Sequence, residues 1–111
     1  MFQTLIRKIL RKEKVRGIIN LVIVDDRQIR KLNKKYRKKD QATDVLSFEM
    51  GEDGVIGDIA IAEPTTRKNA QQYGVTYRQE LKRLVIHGVL HLLGYDHGRK
   101  MRDAEKIYQE F

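Results

Sequence analysis

The chain has 111 residues, of which 41% are apolar, and it carries a net charge of +8. This length provides for a single domain, residues 1–111, with one modest core, and the absence of cysteine from the sequence excludes disulfides and thiolate metal ligands. The longest uncharged run, residues 84–95, is too short to span a bilayer, so we expect a cytoplasmic protein that neither crosses nor binds a membrane.

Positive charge is concentrated in the first part of the chain. Residues 1–40 carry 14 Lys and Arg against 4 Asp and Glu, whereas the remainder carries 9 against 11. The basic residues between positions 7 and 16 fit a solvated helix face as well as they fit contact with an acidic partner. A second cluster precedes a predicted strand, and we predict that it contacts the phosphates of RNA. Its members are Lys34, Lys35, Arg37, Lys38 and Lys39.

The first predicted elements are a helix and a strand. Apolar residues at helical spacing predict an amphipathic helix over residues 2–14, whose basic face also permits membrane contact, although we favour packing on a sheet. The β-branched apolar run at 18–24 predicts a strand that is buried on both faces and central in its sheet.

A second helix and a hairpin follow. Asp25 and Gln28 have the spacing of a capping box, and the helix they begin should end near Arg37. Its predicted buried stripe consists of Ile29, Leu32 and Tyr36. Strands at 44–48 and 55–62 are joined by a turn that favours an antiparallel hairpin. The glycines at 51, 54 and 57 therefore lie between strands, so they form no phosphate-binding loop and no nucleotide cofactor is expected.

Three helices complete the chain. Pro64 suits the first position of a helix that Gly74 ends. Thr76 can cap the next helix, which is uncharged from Leu84 onward and should enter the core there. A last helix at about 99–110 should pack through Met101, Ala104, Tyr108 and Phe111.

This order of elements predicts the fold class. We expect an α+β (α/β-like) domain with a small mixed sheet of three or four strands, covered by about five helices. The strands at 18–24 and 55–62 are joined across intervening elements and should be parallel.

All three histidines of the chain fall within the sequence HGVLHLLGYDH, residues 87–97. His87 and His91 are four residues apart on the predicted helix, and Gly94 can end that helix so that His97 turns back toward them. Three imidazole ligands suit one Zn²⁺ ion, or another divalent transition metal, with a coordination position left open for chemistry. The spacing matches the zinc-protease pattern, but Gly88 stands where that pattern needs its glutamate base.

The same stretch resembles the signature of the YbeY family, metal-dependent endoribonucleases linked to ribosomal RNA maturation. YRKKDQATDVLSF at 36–48 and GDIAI at 57–61 are similar to further family motifs. The chain departs from the pattern at Glu49, where proline is usual, and at residues 41–42, and it lacks the family's usual leading strand. The resemblance implies single-strand-directed cleavage of RNA, ribosomal RNA and the ribosome as partners, and an antiparallel edge strand at 43–48 beside the metal.

Roles follow for individual residues. Arg37, with its planar fork of donors, is the candidate for stabilising the transition state beside the metal ligands, and the resemblance implies the same role. A structural salt bridge or plain phosphate anchoring by Arg37 stays open. Asp96 is a candidate to orient a histidine or to cap a turn. Asp44 and Ser47 are candidates to line the cleft, and Gly88 to provide close packing or substrate clearance.

Two other functions stay open. A non-catalytic RNA- or ribosome-binding protein would use the metal only to fix the helix to the turn, and a zinc peptidase is less favoured. The nucleophile is open as well. We favour the 2′-hydroxyl of the RNA, because the sequence lacks the glutamate base, over attack by a metal-activated water.

Overall fold

The computed structural model describes residues 2–111, which form three strands and five helices. The strands are β1 (Ile18–Val24), β2 (Val45–Glu52) and β3 (Val55–Ala62). The helices are α1 (Gln3–Lys12), α2 (Asp26–Arg37), α3 (Glu63–Tyr73), α4 (Tyr77–Leu92) and α5 (Arg99–Gln109). The predicted α+β class, with a small mixed sheet and five helices, is confirmed. Each of these helices is too short or too polar to cross a lipid bilayer.

The strand order is β1-β3-β2, with β1 parallel and β2 antiparallel to β3. Both predicted pairings are confirmed, but the prediction that β1 is central and buried on both faces is wrong. The hairpin places β2 on one side of β3, and the crossover through α2 places β1 on the other, so β3 is central. As an edge strand, β1 exposes Ile18 to 57% and Val22 to 47%.

The two faces of the sheet are covered unequally. Helices α1, α4 and α5 pack on one face and form the main core, which includes Ile9, Ile59, Leu84, Val89 and Tyr108. Helix α2 covers only part of the other face, where Ile29 packs with Leu46 and Ala62. This partial cover leaves a groove on the α2 side of the sheet.

The predicted buried stripe of α2 is correct at Ile29 and wrong at Tyr36, which is 57% exposed. Tyr36 lies in the last turn of α2, beyond the part of the sheet that the helix covers. Asn33 is buried instead, and its side-chain amide donates to the carbonyl of Gln41 at 2.9 Å. This hydrogen bond holds the segment that follows α2 against the helix.

The predicted helix and turn signals are largely confirmed. Asp25 begins α2 and Thr76 begins α4, each in a capping box. The hairpin turns at Asp53 and Gly54, where both residues have positive φ, as the twist of a two-residue hairpin turn requires.

Three details near the helix ends differ from the prediction. Helix α3 begins at Glu63, so Pro64 is its second residue rather than its first. Phe111 lies beyond the end of α5 and is 40% exposed, so it packs only at the edge of this face, with its ring centre 5.0 Å from that of Tyr108. Burial of α4 begins before Leu84, at Glu80, whose carboxylate forms a two-point ion pair with Arg83 at 2.7 and 2.8 Å.

Candidate metal centre

Helix α4 carries His87 and His91 on one face, one turn apart, as their spacing predicts. Their Nε2 atoms are 3.1 Å apart, and both rings are partly buried. The capping box at the start of α4 and the fully buried residues that surround the histidines on the same helix fix the helix against the sheet. The two imidazoles are therefore held by the core and not by a mobile loop.

His97 reaches the pair through a tight turn after α4. Gly94 has φ +94, a conformation that L side chains rarely adopt, and the amide of Tyr95 donates back to the carbonyl of Leu90 at 3.0 Å. The Tyr95 hydroxyl also donates to Glu13 at 2.9 Å, which ties the turn to the end of α1. The His97 ring centre consequently lies 5.5 and 5.0 Å from those of the two helical histidines.

The donor set fits a zinc ion. One nitrogen from each histidine can be chosen so that all three lie within 4.8 Å of one another. Bonds of about 2.0–2.1 Å to a tetrahedral zinc place ligand nitrogens roughly 3.3 Å apart, and the helical pair is already near that separation. Because His97 is exposed, its ring can turn to complete the set.

Burial and mutual repulsion keep the helical imidazoles in the neutral form that binds metal. Burial is the largest cause that lowers the pKa of His87, followed by the neighbouring His91. The pKa of His91 is lowered mainly by burial, then by His97 and by the guanidinium of Arg37. Neutral nitrogens in this arrangement are available as ligands near neutral pH.

Glu105 lies behind His87 and was not identified from the sequence. Its Oε2 is 3.8 Å from His87 Nδ1, on the side of the ring away from the Nε2 that faces His91. The carboxylate partly opposes the lowering of the His87 pKa. The sequence did contain one sign that Glu105 faces inward: it is a charged residue beside Ala104 and Tyr108 on the face through which α5 packs.

Gly88 lies where α4 approaches the sheet most closely. A Cβ at this position would come within 3.0 Å of two Ile59 side-chain atoms and 3.2 Å of Ser47 Oγ. The Ser47 hydroxyl donates to the Gly88 carbonyl at 3.2 Å. A side chain at position 88 would therefore need Ile59 and Ser47 to shift, and the close-packing role predicted for Gly88 agrees with these contacts.

Arg37 lies between the sheet and the histidines. Its Nη2 donates to the carbonyl of Ser47 at 3.4 Å, and its charge is close enough to lower the pKa of His91. The guanidinium is exposed, so its other donors face solvent. The neighbouring lysines that the sequence grouped with it are exposed as well: Lys34, Lys35, Lys38 and Lys39.

The two remaining candidates lie apart from the three nitrogens. The Asp44 carboxylate accepts from the Asn69 amide of α3 at 3.3 Å. Asp96 is exposed in the turn, where its charge raises the pKa of His91 against the larger effect of burial. Glu105, rather than Asp96, is the carboxylate closest to a histidine nitrogen among the ion pairs of residues 2–111.

Known proteins are similar to this chain in sequence and in fold. A family model described as Endoribonuclease YbeY matches residues 1–110. The chain is 47% identical over 96 residues to Endoribonuclease YbeY of Aquifex aeolicus, with 83% of this chain and 63% of that protein covered. It is 37% identical over 102 residues to the protein of the same name from Bdellovibrio bacteriovorus, with 92% and 68% covered.

One solved structure has the same fold. The solution structure of a Thermotoga maritima protein superposes with a TM-score of 0.72 at 34% identity, and the match covers 98% of this chain and 79% of that one. The chain spans somewhat under two thirds, 63%, of the Aquifex aeolicus and Persephonella marina relatives.

Proposed function

Because the chain belongs to the YbeY endoribonuclease family, we propose that it is a zinc-dependent endoribonuclease, directed at single strands, that acts in ribosomal RNA maturation and ribosome quality control. Its substrate is RNA, its partner is the ribosome and it works in the cytoplasm. The single observation that supports this proposal most is the convergence of His87, His91 and His97 within reach of Arg37.

Three imidazoles would hold the metal, which when bound polarises a phosphoryl oxygen and lowers the pKa of a water ligand. Binding of the RNA and stabilisation of the developing charge depend on side chains of the protein. Arg37 is fixed to the backbone of β2 through one nitrogen, and its free donors can bind the phosphoryl oxygens on which charge develops. The exposed lysines at the end of α2 attract the RNA backbone to the same edge of the sheet.

The nucleophile is part of the proposal. Gly88 has no side chain, so the protein supplies no base there, and the 2′-hydroxyl of the RNA is the nucleophile that we favour. Placing one deoxynucleotide at a mapped cleavage site tests this choice. Cleavage should stop there and continue elsewhere, whereas continued cutting at that site at a similar rate would exclude the 2′-hydroxyl route.

A ribonuclease assay tests the function itself. Zinc-loaded protein purified free of host nucleases should cut single-stranded RNA, and Arg37→Ala should lose at least a hundredfold of that rate while it keeps its metal, because one preorganised donor is worth roughly 10²–10³ in rate. Arg27→Ala, which removes an exposed arginine at the other end of α2, away from the basic cluster, is the matched control. RNA binding without turnover in the wild type would instead identify a binding protein, and cleavage of peptides with intact RNA would identify a peptidase.

A further inference from the structure

A groove of about 1230 Å³ lies on the face of the sheet opposite α4. Helix α2 stops short of covering this face, so the side chains of one row across the sheet are open. Asn20, Asp58 and Phe48 form that row, since Asn20 pairs with Asp58 and Phe48 pairs with the same residue from the other side. The Asn20 amide donates to the Asp58 carboxylate at 3.0 Å.

An aromatic pair forms one wall of this groove. The ring of Tyr36, from the last turn of α2, lies 4.8 Å from that of Phe48, centre to centre, and is tilted 52° to it. Tyr36 is 57% exposed, and the apolar Met50, two residues after Phe48 on β2, is also exposed. Exposed aromatic side chains next to a basic cluster are the arrangement with which proteins stack unpaired bases of single-stranded nucleic acid.

Charge is divided between the rim and the interior. At the rim, the Lys35 ammonium lies 5.2 Å from the centre of the Tyr36 ring, and Arg37 follows directly. Inside, Asp58 carries negative charge. Carboxylates repel a phosphate but accept hydrogen bonds from base amino groups, so this distribution fits a base inside the groove and the sugar-phosphate chain along the rim.

Strand β2 connects the groove to the metal centre. Successive residues of a strand point to opposite faces, so Ser47 faces Gly88 of α4 while Phe48 faces the groove. Arg37 spans the edge between them, because it lines the groove and its charge acts on His91. A nucleotide whose phosphate is bound by Arg37 therefore has its base within reach of Tyr36.

We propose that this groove is a nucleobase site, in which one unpaired base beside the scissile phosphate stacks against Tyr36 and Phe48. The site rests on the proposed endoribonuclease function and adds a reason for the preference for single strands. A paired base is stacked within its duplex and cannot enter the groove.

The first test compares two tyrosines of equal exposure. Tyr36→Ala should weaken the binding of a short fluorescein-labelled single-stranded RNA by about 5- to 150-fold in fluorescence anisotropy, the range found when a stacking aromatic is removed. Tyr73→Ala is the matched control, because Tyr73 is also 57% exposed but lies at the end of α3, away from the groove. Tyr36→Trp should restore affinity, since a larger ring keeps the stacking surface.

The second test removes the base instead of the side chain. An abasic nucleotide placed next to a mapped cleavage site should slow cleavage by the wild type and by Tyr73→Ala, but should have little further effect on Tyr36→Ala. Such non-additivity shows that the base and the tyrosine contact each other.

The outcomes separate this proposal from the proposed function. If the wild type neither binds nor cuts RNA, the endoribonuclease function fails and the base site fails with it. The other informative case is a wild type that cuts RNA and a Tyr36→Ala variant with the same RNA affinity and the same sensitivity to the abasic nucleotide. That result would overturn only the base site, and the groove would then be a candidate site for a protein partner.

Discussion

His91 is a predicted ligand whose loss should remove the metal. It lies on the buried helix with its Nε2 3.1 Å from that of His87, so His91→Ala leaves one rigid ligand and one on an exposed turn. We expect metal content to fall from about one ion per chain to near zero by elemental analysis, with a lower melting temperature. Lys38→Ala should keep its metal, and an unchanged metal content in His91→Ala would contradict the site.

Glu105 should tune the same site from behind. Its Oε2 lies 3.8 Å from His87 Nδ1, an ion-pair distance just beyond a hydrogen bond. A carboxylate that accepts from the non-ligating nitrogen of a metal-bound histidine fixes the ring, and its loss typically weakens metal binding 10- to 100-fold. Glu105→Gln should therefore raise the zinc Kd in competition with a chelator by about that factor. Asp96→Asn is the matched control, because Asp96 also acts on a histidine but is exposed in the turn. An equal or larger effect of Asp96→Asn would assign the orienting role to Asp96 instead.

A methyl group at position 88 should be costly. Alanine is favoured over glycine in a helix by about 1 kcal/mol, but its Cβ would press on the fully buried Ile59, and overpacking costs roughly 1–3 kcal/mol. We expect Gly88→Ala to lower the free energy of unfolding in urea. The loss should shrink in an Ile59→Val background, which removes one of the two contacting atoms, and an equal loss in both backgrounds would refute this explanation.

At the scale of elements, Glu13 joins three parts of the fold. Its carboxylate accepts from the hydroxyls of Tyr95, in the turn that carries His97, and of Tyr108 on α5. Because Tyr108 is buried and bonds a charged group, Tyr108→Phe should lower the free energy of unfolding by about 1.5–3 kcal/mol. Tyr73→Phe, whose ring is exposed, should change it by less than about 0.5 kcal/mol in the same urea titration.

The elements that the sequence predicted correctly are those with a local signal. Both capping boxes and the Asp53-Gly54 turn depend on residues within four positions of one another, and each formed where predicted. The three histidines also lie close together as predicted, because they fall within one helix and the turn that follows it. The prediction that β1 is central in the sheet is wrong, because an apolar run indicates burial but does not indicate which strands lie beside it. The predicted burial of Tyr36 is wrong and Glu105 was not identified, because the surroundings of both residues come from segments that are distant in the sequence.

For the whole molecule, the lowered pKa values of His87 and His91 give the metal-free fold a pH dependence. In the unfolded chain these groups take up protons near pH 6.5, whereas the folded protein keeps them neutral to lower pH. Their contribution to stability is therefore complete above about pH 6.5 and is lost as the pH falls toward the folded pKa. The melting temperature of the metal-free protein should fall between about pH 7.5 and pH 5.

Two comparisons check this origin. The double variant His87→Asn, His91→Asn should have a flatter profile over the same interval, and a profile as steep as that of the wild type would assign the effect to other groups. Added zinc should raise the melting temperature at about pH 7.5 and much less at about pH 5, because protons compete for the same nitrogens.

The open edge of β1 bears on how copies of the protein behave in solution. None of its seven residues, IINLVIV, is charged, so this edge lacks the lysine or proline with which natural sheets block pairing between molecules. Mutual repulsion between chains that each carry a net charge of +8 opposes such pairing, and salt screens that repulsion within about 8 Å at physiological ionic strength. Self-association by light scattering should therefore increase with salt while RNA affinity decreases, and Ile23→Lys should abolish the first trend without altering the second. Under the proposed function, colloidal stability and RNA binding should draw on the same charge, so the ionic strength at which the protein is least prone to associate should also be the one at which it binds RNA most tightly.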